Sequence, residues 1–200
     1  MQIGAKYKKA RRLGTHLFEK TQSQKFNLSL QRRTKLPRRP STDYGQVMLE
    51  KQKARFTYLV NEKQFKRIAK TVAGAGTKNP SELFYQTLET RLDNVVYRAG
   101  IAPTRLAARQ LVAHGHINLN GVRNGIPSTI VTNGDIVSIR PISATKAVFA
   151  KLAERAKEVK VPTWIKADVE KNTYTIQGKP TLVPSEMPFD LSRVLEFYSR

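Results

Sequence analysis

Arg91, Arg98, Arg105 and Arg109 fall within two short helical patterns that run into an Asn120-Gly121 pair, and their chemistry suits phosphate. A planar guanidinium donates paired hydrogen bonds to phosphate oxygens, while lysine supplies charge at longer reach. Arg105 and Arg109 are four residues apart, so one helix face presents both to adjacent phosphates. Arg91, Arg105, Arg109, Gln110 and His114 are therefore the expected positioning face, with Asn120 and Arg123 at the hairpin beyond it. Lys8, Lys9, Arg11 and Arg12 are expected to anchor a basic arm, and Lys51, Lys53 and Arg55 to clamp backbone from a long helix. Aromatic residues are sparse around these cations, which favours recognition of folded RNA by shape and backbone over stacking on single strands.

Other chemistry finds less support. The histidines are His16, His114 and His116, and no cysteine accompanies them. His114 and His116 flank a helix-to-strand turn, where two rings do not easily face one metal together with further ligands, so a turn or RNA-facing histidine is the preferred reading. Without cysteine there is neither a disulfide nor a thiolate zinc site. Gly74-Ala75-Gly76 lacks the Lys-Ser/Thr of a phosphate loop and reads as a linker. No Ser/His/Asp order or spaced carboxylate pair stands out.

Composition points the same way as the arginines. The chain of 200 residues carries 36 Lys plus Arg against 15 Asp plus Glu, a formal net charge of +21. A polyanionic partner is the leading expectation, although charge alone does not separate RNA from DNA or an acidic membrane. Residues 1–40 hold 12 basic side chains against Glu19 alone, so the front is the more basic end. Hydrophobic residues at 40% suffice for a modest core in one or two domains. No apolar run approaches a membrane span, and the first twenty residues have no signal-peptide apolar stretch, so the expectation is a soluble protein that stays where it is made.

The elements that must position the cations follow from periodicity. Residues 1–42 end in Leu36-Pro37-Arg38-Arg39-Pro40 and show little period, which predicts an extended arm with one short helix near Ala10 to Lys20. Asp43 is the predicted cap of a long helix in which Ala54, Tyr58, Phe65, Ile68 and Val72 recur, ending at Gly74. Asn79, Pro80 and Glu82 start another, with Leu88, Leu92, Val95 and Val96 as its apolar stripe up to Gly100. A third begins near Pro103, with Leu106, Ala107 and Leu111 inward. Ile117 and Leu119, the Asn120-Gly121 turn, Ile130-Val131, Asn133-Gly134-Asp135 and Ile136 to Ile139 then predict a small, largely antiparallel sheet. Ala144 to Val159 reads as one amphipathic helix with Val148 and Leu152 inward. Prolines follow, and Asp190 to Tyr198 reads as a closing helix that docks on an earlier domain.

Three separated segments resemble the bacterial ribosomal protein S-four family of the small subunit. They are Arg11-Arg12-Leu13-Gly14; Asp43-Tyr44-Gly45 with Glu50-Lys51-Gln52-Lys53, Arg55, Tyr58 and Gln64-Phe65; and Arg91-Leu92-Asp93-Asn94 through Ala108-Arg109-Gln110-Leu111-Val112, His114, Asn120-Gly121 and Gly134-Asp135. The ending Glu196-Phe197-Tyr198-Ser199-Arg200 is similar too. The resemblance implies an α+β fold, a mostly helical N-terminal domain completed by the C-terminal segment, with an inserted S-four RNA-binding module of two helices on a small sheet. In residue terms the expected division is a basic arm over 1–42, a helical domain over 43–87 with 179–200, and the module with its extension over 88–178. It further implies binding to 16S-type ribosomal RNA at a helical junction of the 5′ domain, early in assembly. Ribosomal proteins S-three and S-five are the implied neighbours, close to where mRNA enters, with an influence on decoding accuracy. Many relatives hold zinc through cysteines in the first forty residues. This chain has none, so no cofactor is expected. The family's proline-glycine-x-histidine-glycine loop before Tyr44 is replaced by basic residues from Arg32 to Arg39.

Two other readings remain. Arg91-Leu92-Asp93 resembles the tripeptide that holds the catalytic aspartate of RNA pseudouridine synthases, some of which carry an S-four-like module. Here the following residues lack those enzymes' threonine and glycine pattern, so an aspartate paired with a neighbouring arginine is the preferred reading. A free RNA chaperone carrying the module is the third. The absence of a targeting extension favours a bacterial cytoplasm, and a protein encoded within an organelle would look the same.

Overall fold

The computed structural model describes residues 4–32, 42–150, 152, 154–155, 159–168, 171–183 and 187–199. The chain divides into two compact units, Met1–Phe84 with Val183–Arg200, and Tyr85–Leu182. In the first, α1 (Lys6–Leu13) leads through two short 3-10 turns into α2 (Gln24–Gln31). This corrects the expectation of an extended arm. Ala10, Leu13, Phe18 and Phe26 form a small core with Phe56 and Leu59, and the buried Thr21 hydroxyl donates to the carbonyls of Thr15 and Phe18, both at 2.7 Å. The apolar residues are carried by a helix, two turns and a second helix in succession, so no single period connects them. Leu36 to Pro40 lies outside the described residues.

The single long helix predicted from Tyr44 to Val72 is two helices. α3 (Asp43–Thr57) is capped by Thr42, whose hydroxyl accepts from Gly45 N–H at 3.2 Å, so Asp43 is the first helical residue and not the cap. Leu59 takes a left-handed conformation (φ 53°) and turns the chain. Asn61 then caps α4 (Glu62–Ala73), its side chain accepting from Gln64 N–H at 2.8 Å. Phe65, Ala69 and Val72 form the buried stripe of α4, which stops at Gly74. The last helix of the chain, α9 (Leu191–Ser199), buries Leu191, Val194 and Leu195 and packs on α3 and α4. Phe65 meets the rings of Phe84 and Tyr198 at 5.3 and 6.1 Å. The closing segment thus docks on the first unit, and the architecture is α+β with a helical N-terminal part completed by the C-terminus.

Glu62 ties these three helices together. Its carboxylate accepts from Lys51 (2.9 Å), Arg55 (2.7 Å) and the Tyr198 hydroxyl (2.8 Å). Burial works to raise its pKa, yet the bonds from Lys51, Tyr198 and Arg55 outweigh it and hold Glu62 below the ordinary 4.5.

The predicted helix from Pro80 to Gly100, whose first residues belong to the first unit and the rest to the second, is likewise divided, into α5 (Pro80–Glu89) and α6 (Leu92–Arg98). Arg91 is extended, bridges Ile130, and leaves the leading N–H groups of α6 to other carbonyls: Leu92 donates to Thr129 at 2.8 Å and Asp93 to Pro127 at 3.1 Å. α7 (Arg105–Ala113) is capped by Thr104, which accepts from Ala107 N–H at 3.0 Å. Ala108, Leu111 and Val112 face the core, whereas Leu106, predicted inward, is 40% exposed.

The sheet is antiparallel, in the order β2-β1-β3-β5-β4, from β1 (Ile117–Leu119), β2 (Val122–Arg123), β3 (Ile136–Ile139), β4 (Ile165–Asp168) and β5 (Thr173–Ile176). Asn120 and Gly121 adopt φ values of 51° and 80°, as a tight hairpin between β1 and β2 requires. Ile117 pairs with Ile139, Leu119 with Val137, Val137 with Tyr174 and Ile165 with Ile176, which lines one face for the core over α6 and α7. β4 and β5 were not predicted, and Ile130-Val131 pairs with Arg91 and Thr90 and not with β3. The predicted helix over Ala144 to Val159 begins instead as α8 (Pro141–Ala144) and a 3-10 turn that buries Phe149 and exposes Val148, whereas Leu152, Glu154 and Arg155 are helical and Leu152 is buried as expected.

Because the folded pKa of Glu62 lies below its unfolded value, its contribution is present above the unfolded pKa and disappears as pH falls through the folded one. Glu62→Gln is expected to flatten the acid limb of stability as pH falls from neutrality through and below the ordinary 4.5, while leaving the curve around neutrality parallel to wild type. Urea midpoints measured across that range check this, and an unaltered acid limb would count against it.

Candidate nucleic-acid interface

Two carboxylates buried between α5, α6 and α7 place the arginines of the second unit. Glu89 is fully buried and Asp93 is 4% exposed. Glu89 accepts from Arg98 Nε and Nη2 at 2.7 and 2.9 Å and from the Asn94 amide at 2.7 Å, and Arg105 Nη2 lies 3.7 Å from it. Arg105 Nε also donates to Asn94 Oδ1 at 2.7 Å, with its guanidinium 4.5 Å above the Tyr97 ring. Asp93 takes both hydrogen bonds of the Arg91 fork, at 3.1 and 2.8 Å, and a third from Arg109 at 3.0 Å. Arg98, Arg105 and Arg109 keep 27%, 19% and 28% of their side-chain surface exposed, so each is held by a buried carboxylate while part of its side chain stays at the surface.

Arg91 departs from its expected position on this face. Its side chain is 2% exposed and its fork is committed to Asp93, so it fixes the carboxylate that in turn fixes Arg109. Spacing alone hid this, because an extended residue at the start of α6 points inward where a helical one would not.

Gln110 and His114 follow Arg105 and Arg109 along α7, both exposed, with Gln110 Nε2 and His114 Nε2 3.5 Å apart. Arg123 joins them through Gly115. That glycine has φ 70°, and a Cβ there would run into the Arg123 guanidinium. Asn120 departs from its expected role, since both ends of its amide are used internally: it donates to Asp135 Oδ1 at 2.7 Å and accepts from Ile136 N–H at 2.8 Å. Hydrogen bonds from Asn120 and Thr132 hold the Asp135 carboxyl low against burial, which acts the other way.

Sequence reasoning missed Arg140 and Lys146. Ile117 and Ile139 point into the core, so the alternation of a strand places their neighbours His116 and Arg140 on the opposite face, joined by Arg140 N–H to His116 carbonyl at 2.9 Å. Burial, followed by the charges of Lys146, His114, Arg123 and Arg140, lowers the His116 pKa. The usable signal is the two-residue period about Ile139, which marks the outward side of the strand as well as the core side.

In the first unit Lys8, Arg11 and Arg12 are exposed on α1, and Lys9 lies 4.3 Å over the Phe56 ring. Of the cations on α3, Lys53 pairs with Glu50 at 2.7 Å and Arg55 with Glu62. Lys51 departs from the expected clamp: it is 5% exposed, pairs with Glu62 and sits 4.1 Å over Phe197. Its task is to hold α9. Among the described residues no group of three or more His, Cys, Asp or Glu is placed to hold a metal ion, and no helix is long and apolar enough to cross a membrane.

Residues 2–89 match the family model described as the ribosomal protein S4/S9 N-terminal domain, and residues 90–137 match the S4 domain. Small ribosomal subunit protein uS4 of Mycobacterium marinum is 39% identical over 193 residues, which is 96% of each chain. The chain belongs to the uS4 family of small ribosomal subunit proteins. The uS4 protein of Mycobacteroides abscessus is 42% identical over 160 residues, 80% of this chain and 79% of that one. Within this uS4 chain the S4 domain match takes in α6, α7, β1, β2 and the start of β3, and thus most of the arginine network and the hairpin.

Asp93→Ala strands the buried Arg91 guanidinium, and removal of one partner from a buried pair costs about 3–5 kcal/mol. Lys146→Gln, at an exposed position, is expected to stay within about 0.5 kcal/mol of wild type. Denaturant unfolding of both variants tests the contrast, and equal losses would refute it.

Proposed function

We propose that this uS4 chain is a structural, non-enzymatic component of the small ribosomal subunit that binds 16S-type ribosomal RNA at a helical junction of the 5′ domain. The observation that carries this is the set of three arginines, Arg98, Arg105 and Arg109, each fastened beneath by a buried carboxylate and still exposed above. Ordering a long side chain on binding is costly, so cations already held in place lose less entropy when a phosphate arrives. Gln110, His114 and Arg123 extend the surface, and Lys8, Lys9, Arg11 and Arg12 add a contact from α1. Lys53 and Arg55 contribute from α3, each sharing its charge with a glutamate. Four arginines against two carboxylates leave the network positive, which keeps its field favourable to a polyanion.

In this reading the protein joins the subunit early in assembly. It lies near where mRNA enters, beside ribosomal proteins S-three and S-five, influences decoding accuracy and works without a resident cofactor. Its place is the small subunit in a bacterial-type cytoplasm or in an organelle that encodes it. The engagement of Asp93 by Arg91 and Arg109 speaks for a structural aspartate over the catalytic one of a uridine-isomerising enzyme.

Arg105→Gln with Arg109→Gln is expected to weaken binding to 5′-domain RNA and to reduce the slope of log affinity against log salt by about 2, near 0.9 for each phosphate no longer neutralised. Filter binding at several salt concentrations measures both, and unchanged affinity and slope would remove these two residues from the interface. Co-sedimentation with small subunits through a high-salt wash separates a ribosomal component from a free chaperone.

A further inference from the structure

His116 stands in surroundings unlike those of Arg98, Arg105 and Arg109. The chain leaves β3 at Ile139 and folds back over it: Ser143 N–H donates to Arg140 carbonyl at 2.8 Å and Lys146 N–H to Ser143 carbonyl at 3.0 Å. This return brings the buried Ser143 hydroxyl to 2.9 Å from His116 Nδ1 and sets Phe149 edge-on to the imidazole at 6.2 Å. From α7 comes His114, its ring 6.2 Å away, and from β2 comes Arg123, packed over Gly115. The groups whose charges reach the ring are thus His114 from α7, Arg123 from β2, Arg140 from the end of β3 and Lys146 from beyond α8. No carboxylate is among them. Arg123, Arg140 and Lys146 form no ion pair among the described residues, in contrast to Arg98, Arg105 and Arg109.

We propose that Arg123, Arg140, Lys146 and His116 form a phosphate site that takes one RNA backbone phosphate together with one proton, the proton passing from solvent to the imidazole as the phosphate seats. The proposal rests on the RNA-binding reading and adds to it a second site, distinct from the arginines on α6 and α7, and a proton linkage. In the free protein, burial and then Lys146, His114, Arg123 and Arg140 hold the imidazole below the ordinary 6.5, so it is neutral at pH 7. A phosphodiester anion offsets the repulsion of those cations and accepts from the charged ring, which raises the pKa in the complex. Ser143 accommodates both states, because its hydroxyl donates to a bare Nδ1 and accepts from a protonated one. A group whose pKa rises on binding takes up a proton, so affinity strengthens as pH falls from the bound pKa toward the free one.

Isothermal titration calorimetry of the full chain with 5′-domain ribosomal RNA, in two buffers of different ionisation enthalpy near pH 6.5–7, counts the protons. Wild type is expected to take up a larger fraction of a proton than His116→Gln. Its affinity should gain up to about tenfold per pH unit relative to that variant as pH falls. Lys146→Gln removes one repelling charge, so it should move the linked pH window upward, an effect that a merely structural role for the lysine would not produce. Imidazole titration of His116 in the wild-type protein by NMR, with and without RNA, requires no variant. An upward shift on binding supports the site, and an unchanged or lowered value overturns it. Equal proton uptake by wild type and a folded His116→Gln also overturns it while leaving RNA binding intact. Absence of RNA binding by wild type at every pH would remove the functional reading and this site together.

Discussion

Glu89 and Asp93 are removed from water on the inside of a protein whose surface is strongly cationic, and a buried carboxylate is tolerated only when it is paired and hydrogen-bonded. That requirement shapes the second unit. Arg98, Arg105 and Asn94 satisfy Glu89, and Arg91 with Arg109 satisfies Asp93. Arg109 to Asp93 and Arg105 to Asn94 link α7 to α6, and Glu89 draws Arg98 and Arg105 to α5, so polar contacts as well as apolar ones join these three helices. A packed hydrocarbon interface would position the helices equally well, but it would leave long arginine side chains to find their geometry on the partner. Here the geometry is established first.

The same pairing explains why a net charge of +21 does not translate into a uniformly basic surface. Lys51, Arg55 and Tyr198 converge on Glu62 to secure α9, and Arg91 is committed to the inside of the second unit. Around His116 the pattern reverses: cations gather without a compensating acid. Electrostatic self-repulsion is offset by acids at the first two places and left standing at the third, which is where an external anion has most to offer.

Much of the local structure was legible. Asn120-Gly121 supplied the turn angles, Pro80 and Gly115 marked helix ends, and Phe65 and Val72 of the predicted stripe are buried on α4, where Ala69 takes the buried place expected of its neighbour Ile68. The failures have a common origin. Leu59 turned left-handed without being glycine, and Arg91 left the helical path without a breaker, because partners distant in sequence offset the local cost: Leu13, Phe18 and Phe26 of the first segment for Leu59, and Ile130 for Arg91. β4 and β5 escaped notice for a similar reason. Each is four residues long, too short for its pattern to stand out, and the pairing of β5 with β3 and of β4 with β5 places them in the sheet.

For the site, composition and spacing alone determined that the protein seeks a polyanion and that Arg105 and Arg109 share a helix face, since both follow from charge and from the helical repeat. Only the tertiary structure decided which cations remain outward. Glu89 and Asp93 are four residues apart, as are Arg105 and Arg109, and folding sets the two pairs against each other. Arg140 and Lys146 approach His116 because a strand ends and the chain turns back. An ion pair, or its absence, depends on separations of a few ångströms between groups on different turns and elements of the chain, a distance that only the folded chain specifies.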